Sequence, residues 1–552
     1  MKASQLFVKC LENEGVDYIF GIPGEENMEM MDALLDSKIQ FITCRHEQGA
    51  AFMADVYGRL TGKAGVCLST LGPGATNLVT GVADANMDNS PVVAIAGQAA
   101  TTRMHKESHQ VLDLVSMFKP ISKYAIQILE PETIPEVMRK AFKLAQAEKP
   151  GASFIDFPEN ISEMEIDEMP LPVIQSKLTL ADSQLIHEAA EIIQNAKKPL
   201  ILVGNGAVRA KASDSLYAFS NHYNIPIINT FMAKGVVPHY KNPLSMGTVG
   251  LQKGDYENAG FADADVVICV GFDMVEYHPH LWNPNREHKI IHIDTKASEV
   301  DYSYIPNIEL IGNIGFNLEA LRQSLPEQTQ TPILFPLRQS LFDEMERVSQ
   351  SNECPMKPQK IIWDLRTAMG KKDIAISDVG AHKMWMARMF RSELPNTCII
   401  SNGFASMGIA VPGAVGAKLA FPDRAVIAVT GDAGFMMNSQ EIETALRCQT
   451  PFVILIWNDN QYGLINWKQK RRYGRSAYID FQNPDFVKYA ESFGATGIRI
   501  KAADQLLPAL KTALTANTVT VIDCPVDYSE NDRLTQLLGS VISEITNEQD
   551  EL

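Results

Sequence analysis

Short apolar runs rich in Val, Ile and Leu alternate along the chain with longer stretches whose apolar residues recur at helical spacing. That alternation marks βαβ units and parallel sheets covered by helices, so the chain reads as an α/β protein. Near its start the pattern predicts a helix over His46–Leu60, a strand over Gly65–Ser69 and a loop at Gly72-Pro73-Gly74. A helix around Ala75–Ala85 and a strand over Val92–Ala96 follow. Far downstream the order returns: helix Ala405–Ala420, strand Ala425–Val429, loop Gly431–Gly434, helix Ser439–Arg447 and strand Phe452–Ile456. The residues do not repeat, but the order and the loop-to-strand spacing do. The two ends of the chain are therefore expected to share a topology.

Breaks in the pattern divide the chain into three segments. The first, residues 1–165, closes after the apolar run Ala152–Phe157, and a Pro- and Met-rich linker follows. The second, 181–330, opens on a helical pattern from Asp182 and on KKPLILVGNGA, a strand running into a glycine turn. It ends near Leu325, before the linker PEQTQTPILFP. The third, 352–540, opens at CPMKPQKIIWDL and leads to the acidic end NEQDEL, which is expected to fray. The expectation is three domains, each a mostly parallel sheet flanked by helices, and 552 residues suit that number.

Composition narrows the function. With 66 acidic against 49 basic residues the formal charge is −17, which repels phosphate backbones and anionic lipid. Neither nucleic acid nor a membrane is an expected partner. Glu12 and Glu14 stand where a signal peptide needs an apolar core. The eight cysteines are scattered, with no CxxC pair, which argues against zinc ribbons and a disulfide framework. A cytoplasmic, reduced protein is expected.

The strongest chemical signal is VIAVTGDAGFMMNSQEIETALRCQTPFVILIWNDNQYG. One buried strand delivers Gly431 and Asp432 to the carboxyl end of a parallel sheet, where open α/β sheets place ligands. A second strand, one crossover later, delivers Asn458 and Asp459 beside them. Two carboxylates plus a carbonyl and phosphate oxygens suit Mg²⁺. Ala433 and Gly434 are small enough to let a diphosphate approach. A lone Gly-Asp turn ordinarily just caps a helix; the second strand ending in Asn-Asp weighs against that.

A second signature is CRHEQGAAFMADVYGRLTGKAGVCLSTLGPGATNLVTG. Glu47 opens a helix in which Gly49, Ala50, Ala51 and Ala54 permit close packing. Taken alone, Glu47 is a charge favoured by a helix N-terminus. Together with the first signature, however, this segment resembles the pyrimidine-binding domain of thiamine-diphosphate (ThDP)-dependent enzymes, and the Gly-Asp…Asn-Asp segment resembles their cofactor motif. Two departures stand out: Ala433 replaces a glycine, and Asp459 replaces a second asparagine.

The resemblance implies roles residue by residue. Glu47 would hydrogen-bond the aminopyrimidine of the cofactor so that its exocyclic nitrogen can deprotonate the thiazolium. Asp432, Asp459 and the carbonyl of Gln461 would hold Mg²⁺. Met407 would prop the cofactor into its bent conformation. Further cofactor contacts would come from Pro73, Asn77, Gly380, His382, Ala405, Ser406, Ala433, Gly434, Tyr462, Gly463 and Leu464. Gln110, in HKESHQVLDLV, matches a glutamine near the reacting centre and would help position the acceptor carbonyl.

Within that family the chain is most similar to the FAD-free, catabolic acetolactate synthases, through GFDMVEYHPHLWN (271–283) and CPVDYSEN. In SDVGAH, Ala381 replaces the glutamine usual in biosynthetic relatives. His105 and His109 are four apart, but Lys106 and Ser108 stand where a zinc-protease pattern needs glutamate. GNGA (204–207) lacks the third glycine of a dinucleotide fingerprint, and FAD is not expected. The implied reaction decarboxylates one pyruvate, a small 2-keto acid, and condenses the product with another to 2-acetolactate. A 2-keto-acid decarboxylase or oxidase, or a non-catalytic ThDP-binding relative, is the alternative. Because the cofactor of such enzymes lies between two chains, a homodimer or homotetramer is implied.

Overall fold

A computed structural model describes residues 1–174, 177–238, 242–250, 258–327, 343 and 345–534. Most of the linker after Leu325, and the acidic end, lie outside them. Three six-stranded sheets form the described chain, and every recorded strand pairing is parallel. The N-terminal sheet holds β1 (Tyr18–Gly21), β2 (Gln40–Thr43), β3 (Gly65–Ser69), β4 (Val92–Gln98), β5 (Tyr124–Gln127) and β6 (Ala152–Pro158), in the order β2-β1-β3-β4-β6-β5. The central sheet holds β7 (Pro199–Val203), β8 (Ile227–Asn229), β9 (Ser245–Thr248), β10 (Val266–Val270), β11 (Lys289–Asp294) and β12 (Ile308–Ile311). Its order is β12-β11-β10-β7-β8-β9, that of a doubly wound nucleotide fold. The C-terminal sheet holds β13 (Ile374–Ser377), β14 (Cys398–Ile400), β15 (Val426–Gly431), β16 (Val453–Asn458), β17 (Thr496–Arg499) and β18 (Thr520–Pro525), in the order β14-β13-β15-β16-β18-β17.

The two outer sheets have the same strand order, as the repeated pattern of elements foretells. Their central strands are buried on both faces: every residue of β3, β4 and β6 is buried. Continuous apolar runs of that kind suit parallel sheets covered by helices.

Seven helices position the site: α1 (Glu47–Thr61), α2 (Pro73–Met87), α3 (Ala381–Met389), α4 (Ala410–Ala420), α5 (Asp432–Asn438), α6 (Glu441–Arg447) and α7 (Gly463–Tyr473). Helix α1 lies against α4, and one apolar cluster joins the N- and C-terminal sheets, including Phe52, Met53 and Val56 with Ala410, Ala414 and Ala417. Small residues make the approach possible. A Cβ on Gly416 would stand 2.4 Å from the Met53 carbonyl oxygen, and one on Gly81 would stand 2.5 Å from the Ala51 Cβ.

Two local expectations change. The helix expected over Ala405–Ala420 begins only at Ala410, because Ala405 takes a left-handed φ of 58° and Gly408 one of 88°. Nor is there a loop at Gly431–Gly434: β15 ends at Gly431 and α5 starts on the next residue. Asp432 Oδ1 accepts the Ala433 N–H at 2.9 Å, which satisfies one of the free donors of that first turn.

Candidate active site

Numbered within its own sheet, the C-terminal unit has its topological switch between β13 and β15, where ligands bind in open sheets. A cleft opens there with about 180 Å³ of internal room. Val379, Gly380, Ala381 and His382 line it from the end of β13, and Gly431, Asp432, Ala433 and Gly434 from the end of β15. Asp459, Gln461, Tyr462, Gly463, Leu464 and Ile465 come from beyond β16, with Ala405, Met407 and Tyr528 completing the wall. The N-terminal turns of α3 and α7 both face it, so their unpaired N–H groups favour an anion.

Strands β15 and β16 are neighbours, with Gly431 opposite Trp457, so the two carboxylates reach the same edge. Burial raises the Asp432 carboxyl above its usual range. Burial and the Asp432 charge push Asp459 up to about 8. Two buried carboxylates, one of them disfavoured further by the charge of the other, are what a divalent cation relieves. Among the described residues no group of three or more His, Cys, Asp or Glu side chains could hold a metal. A cation here would therefore need oxygens from elsewhere, such as a main-chain carbonyl and a phosphate.

His382 is 2% exposed, its Nε2 has no hydrogen-bond partner, and burial pulls its pKa down to about 3. It is thus a neutral ring with an unanswered nitrogen beside the cleft. Gly431 and Gly380 keep the space around it open, since a Cβ on either would stand within 3.3 Å of the ring. A Cβ on Gly463 would come within 2.5 Å of Asp459 Oδ2. Small residues, an orphaned polar atom and paired carboxylates fit a diphosphate bound through a metal.

Three profiles of one family cover most of the sequence. They are described as Thiamine pyrophosphate enzyme, N-terminal TPP binding domain (residues 1–117), central domain (186–322) and C-terminal TPP binding domain (378–524). The chain is 38% identical to the acetolactate synthase of Bacillus subtilis over 97% of its own length and 94% of that protein. It belongs to the thiamine pyrophosphate enzyme family. It is also 36% identical to a probable acetolactate synthase large subunit of Methanocaldococcus jannaschii, over 96% of this chain and 93% of that one. With the catabolic acetolactate synthase of Raoultella terrigena the identity is 34%, over 96% of both chains.

In this thiamine pyrophosphate enzyme the sequence-expected residues fall into two groups. Gly380, His382, Ala405, Met407, Asp432, Ala433, Gly434, Asp459, Gln461, Tyr462, Gly463 and Leu464 all line the cleft. Ser406 does not; it is buried beside it, its N–H donating to Asp84. The second group gathers on the N-terminal unit, outside the lining. Asn77 donates its side-chain amide to Glu47 Oε2 at 2.9 Å. Pro73 begins α2, and Gly72 before it packs on Gln110, where a Cβ would stand 2.7 Å from the Gln110 carbonyl oxygen. The Gln110 side chain is exposed.

Sequence reading misses Tyr528 and Asn483. Tyr528 returns to the cleft wall from beyond β18, its ring stacked on Trp457 with centroids 6.2 Å apart. Asn483 donates to Asp432 at 2.7 Å from a segment between α7 and β17. Tyr528 lies in the CPVDYSEN segment, but nothing in that segment says which side chain turns back to the cleft, and Asn483 lies in none of the sequence motifs.

Proposed function

We propose that the protein is an acetolactate synthase that uses ThDP and Mg²⁺ to decarboxylate pyruvate and join the product to a second pyruvate, giving 2-acetolactate and CO₂. The observation that carries this reading is the cleft, where paired carboxylates lie beneath converging helix N-termini in a chain similar over nearly its whole length to acetolactate synthases. Asp432, Asp459 and the Gln461 carbonyl are the Mg²⁺ ligands in this reading, with His382, Gly431 and the first residues of α5 on the diphosphate. When bound, ThDP supplies the electron sink that lets a 2-keto acid lose CO₂.

The chain's own residues do the rest. Glu47 holds a proton against the aminopyrimidine, oriented by Asn77. Met407 would pack against the cofactor from the cleft wall. Gln110 orients the acceptor carbonyl. Leu464 and Ile465 keep water from the reacting carbon, so that a proton does not capture it before the acceptor does.

Glu47, Asn77 and Gln110 stand outside the cleft of their own chain, which supports a homodimer or homotetramer whose second copy supplies them. Phe404, Met436, Met437 and Ile465 are large apolar side chains between 41% and 46% exposed, and a second copy would cover them. The reading carries no FAD: Glu276 Oε1 accepts the Asn205 N–H at 2.9 Å, so a carboxylate of the chain itself occupies the glycine turn after β7. The Gly206 N–H donates to the Gly271 carbonyl at 2.8 Å and the Ala207 N–H to the Gly204 carbonyl at 3.1 Å, so these amides of the turn are already paired within the chain. None of the eight cysteines is in a disulfide. Among the described residues no helix is long and apolar enough to cross a membrane.

The test is product analysis with pyruvate, ThDP and Mg²⁺. One half of a quenched reaction is acidified to convert acetolactate to acetoin, and acetaldehyde is assayed in the other. Acetolactate should dominate. Dominant acetaldehyde would replace this reading with a decarboxylase, and absence of CO₂ release would leave a binding protein.

A further inference from the structure

Met407 stands in the cleft wall between two amides, each held by a buried carboxylate. The Gly408 N–H donates to Asp378 Oδ1 at 2.8 Å, from within the C-terminal unit. On the other side the Ser406 N–H donates to Asp84 Oδ1 at 3.2 Å, and the Ser401 hydroxyl donates to the same oxygen at 2.8 Å. Asp84 belongs to α2, in the N-terminal unit. One turn later Asp88 takes the start of the same loop: its Oδ1 accepts the Gly403 N–H at 2.6 Å and its Oδ2 the Asn402 N–H at 3.1 Å. Arg59 of α1 donates to the Ile400 carbonyl at 2.9 Å and lies 3.7 Å from Asp88.

Asp84 and Asp88 are 0% and 1% exposed. A buried carboxylate is tolerated only where it is partnered, and the hydrogen-bond partners here are main-chain and hydroxyl donors of one loop, with the Arg59 guanidinium 3.7 Å from Asp88. That loop needs outside support, since Ala405 in the left-handed region costs on the order of 1 kcal/mol. Within residues 401–406 the Ser406 N–H also reaches the Ser401 hydroxyl oxygen, at 3.3 Å, and that oxygen is itself held by Asp84.

We propose that Asp84 and Asp88 are positioning residues of the active site: by fixing the 401–406 loop they place Ala405 and Met407 in the cofactor cleft of their own chain. The proposal rests on the cleft binding ThDP. It means that the N-terminal unit shapes the cleft beside it as well as offering Glu47 elsewhere.

The two carboxylates differ in a way that gives the test. Asp84 uses one oxygen for both donors, and its Oδ2 has no partner, so asparagine can preserve the contacts. Asp88 uses both oxygens on N–H groups, so an amide would set N–H against N–H. Gly403 offers an independent route, because a Cβ there would stand 2.8 Å from Asp88 Oδ1 and would displace the loop with both carboxylates intact.

Calorimetric ThDP affinity with Mg²⁺, kcat and KM for pyruvate, and thermal unfolding would be measured on the full chain. Asp88→Asn, Gly403→Ala and Asp84→Ala should each weaken ThDP binding and lower kcat by about tenfold or more, as small displacements in a site do, with KM for pyruvate nearly unchanged. Asp84→Asn should restore most of what Asp84→Ala loses. Lowered unfolding temperatures with unchanged ThDP affinity and kcat in the folded variants would overturn the proposal. So would Asp84→Asn failing like Asp84→Ala. Should Asp88→Asn not fold, Gly403→Ala decides by the same measures. Wild-type protein that binds no ThDP would overturn the functional reading and this proposal together; wild type that binds while the variants bind equally overturns only the proposal.

Discussion

Asn483 donates its side-chain amide to Asp432 Oδ2 over 2.7 Å, from 51 residues further along the chain. The same nitrogen lies 3.1 Å from Asn458 Oδ1 and from Asn460 Oδ1, so it ties both strand ends together. The Asn460 N–H also donates to Asp432 Oδ2, at 2.7 Å. The carboxylate that would face Mg²⁺ is therefore aimed before any ion arrives.

Asp432→Ala should abolish ThDP retention at ordinary Mg²⁺ concentrations, because in the proposed reading the diphosphate would be held through a metal that this carboxylate binds. Asn483→Ala should keep binding but weaken it by roughly 10–100-fold, the usual effect of losing a residue that orients a metal ligand. Titrating Mg²⁺ at fixed ThDP separates the two: the Asn483→Ala defect should be recovered at high Mg²⁺. Unchanged affinity in Asp432→Ala would make Asp432 a turn residue only.

Glu47→Gln should fold and bind ThDP yet lose turnover by roughly 10²–10⁴-fold, the range for a group that moves a proton. Glutamine still accepts from Asn77 but cannot hold the proton. Steady-state rates at saturating ThDP near wild type would remove Glu47 from its assigned role.

Purified protein should carry no flavin. Glu276 already answers the Asn205 amide and is braced by the Thr230 hydroxyl, so the turn after β7 has no free donor there for a diphosphate. The check is the visible spectrum of the supernatant after denaturation, in which a flavin band would contradict the expectation.

Glu441 supplies a pH dependence. It is fully buried at the start of α6 and accepts the N–H groups of Arg45 and His46, each at 3.1 Å, beneath the start of α1. Burial pushes its carboxyl from 4.5 up to about 7. The unfolded chain ionises this group near 4.5 and the folded chain only near 7, so the folded state keeps the proton longer. Its contribution to stability is full below 4.5 and is lost as the pH rises to about 7. Across that window Glu441→Gln should gain about 3 kcal/mol relative to wild type. Denaturation curves of both proteins at several pH values would show a constant difference if the group is not shifted.

Much of this protein is legible before folding. The strand–helix alternation gives parallel sheets, and the matched order of elements at the two ends becomes two sheets of identical strand order. Local chemistry announces Asp432 and Asp459, since a crossover between adjacent parallel strands has a narrow range of lengths. Glu47 opens its helix where the small-residue run predicts. The start of α4 is not legible: Ala405–Ile409 has helical composition, but Asp84 and Asp378 claim its amides from outside.

The sequence by itself determines which side chains arrive at which strand ends, because hydrophobic periodicity and crossover length are local properties of the chain. Only the tertiary structure decides which of them meet. Tyr528, Asn483, Asp84 and Asp88 reach the cleft or its loop from segments tens to hundreds of residues away. Their partners are single hydrogen-bonding atoms or, for Tyr528, one aromatic ring, which leave no period in the sequence. The same holds for the separation of Glu47 from its own cleft, which follows from how α1 packs on α4. Packing is set by the shape of both surfaces together, and one segment read alone carries only half of it.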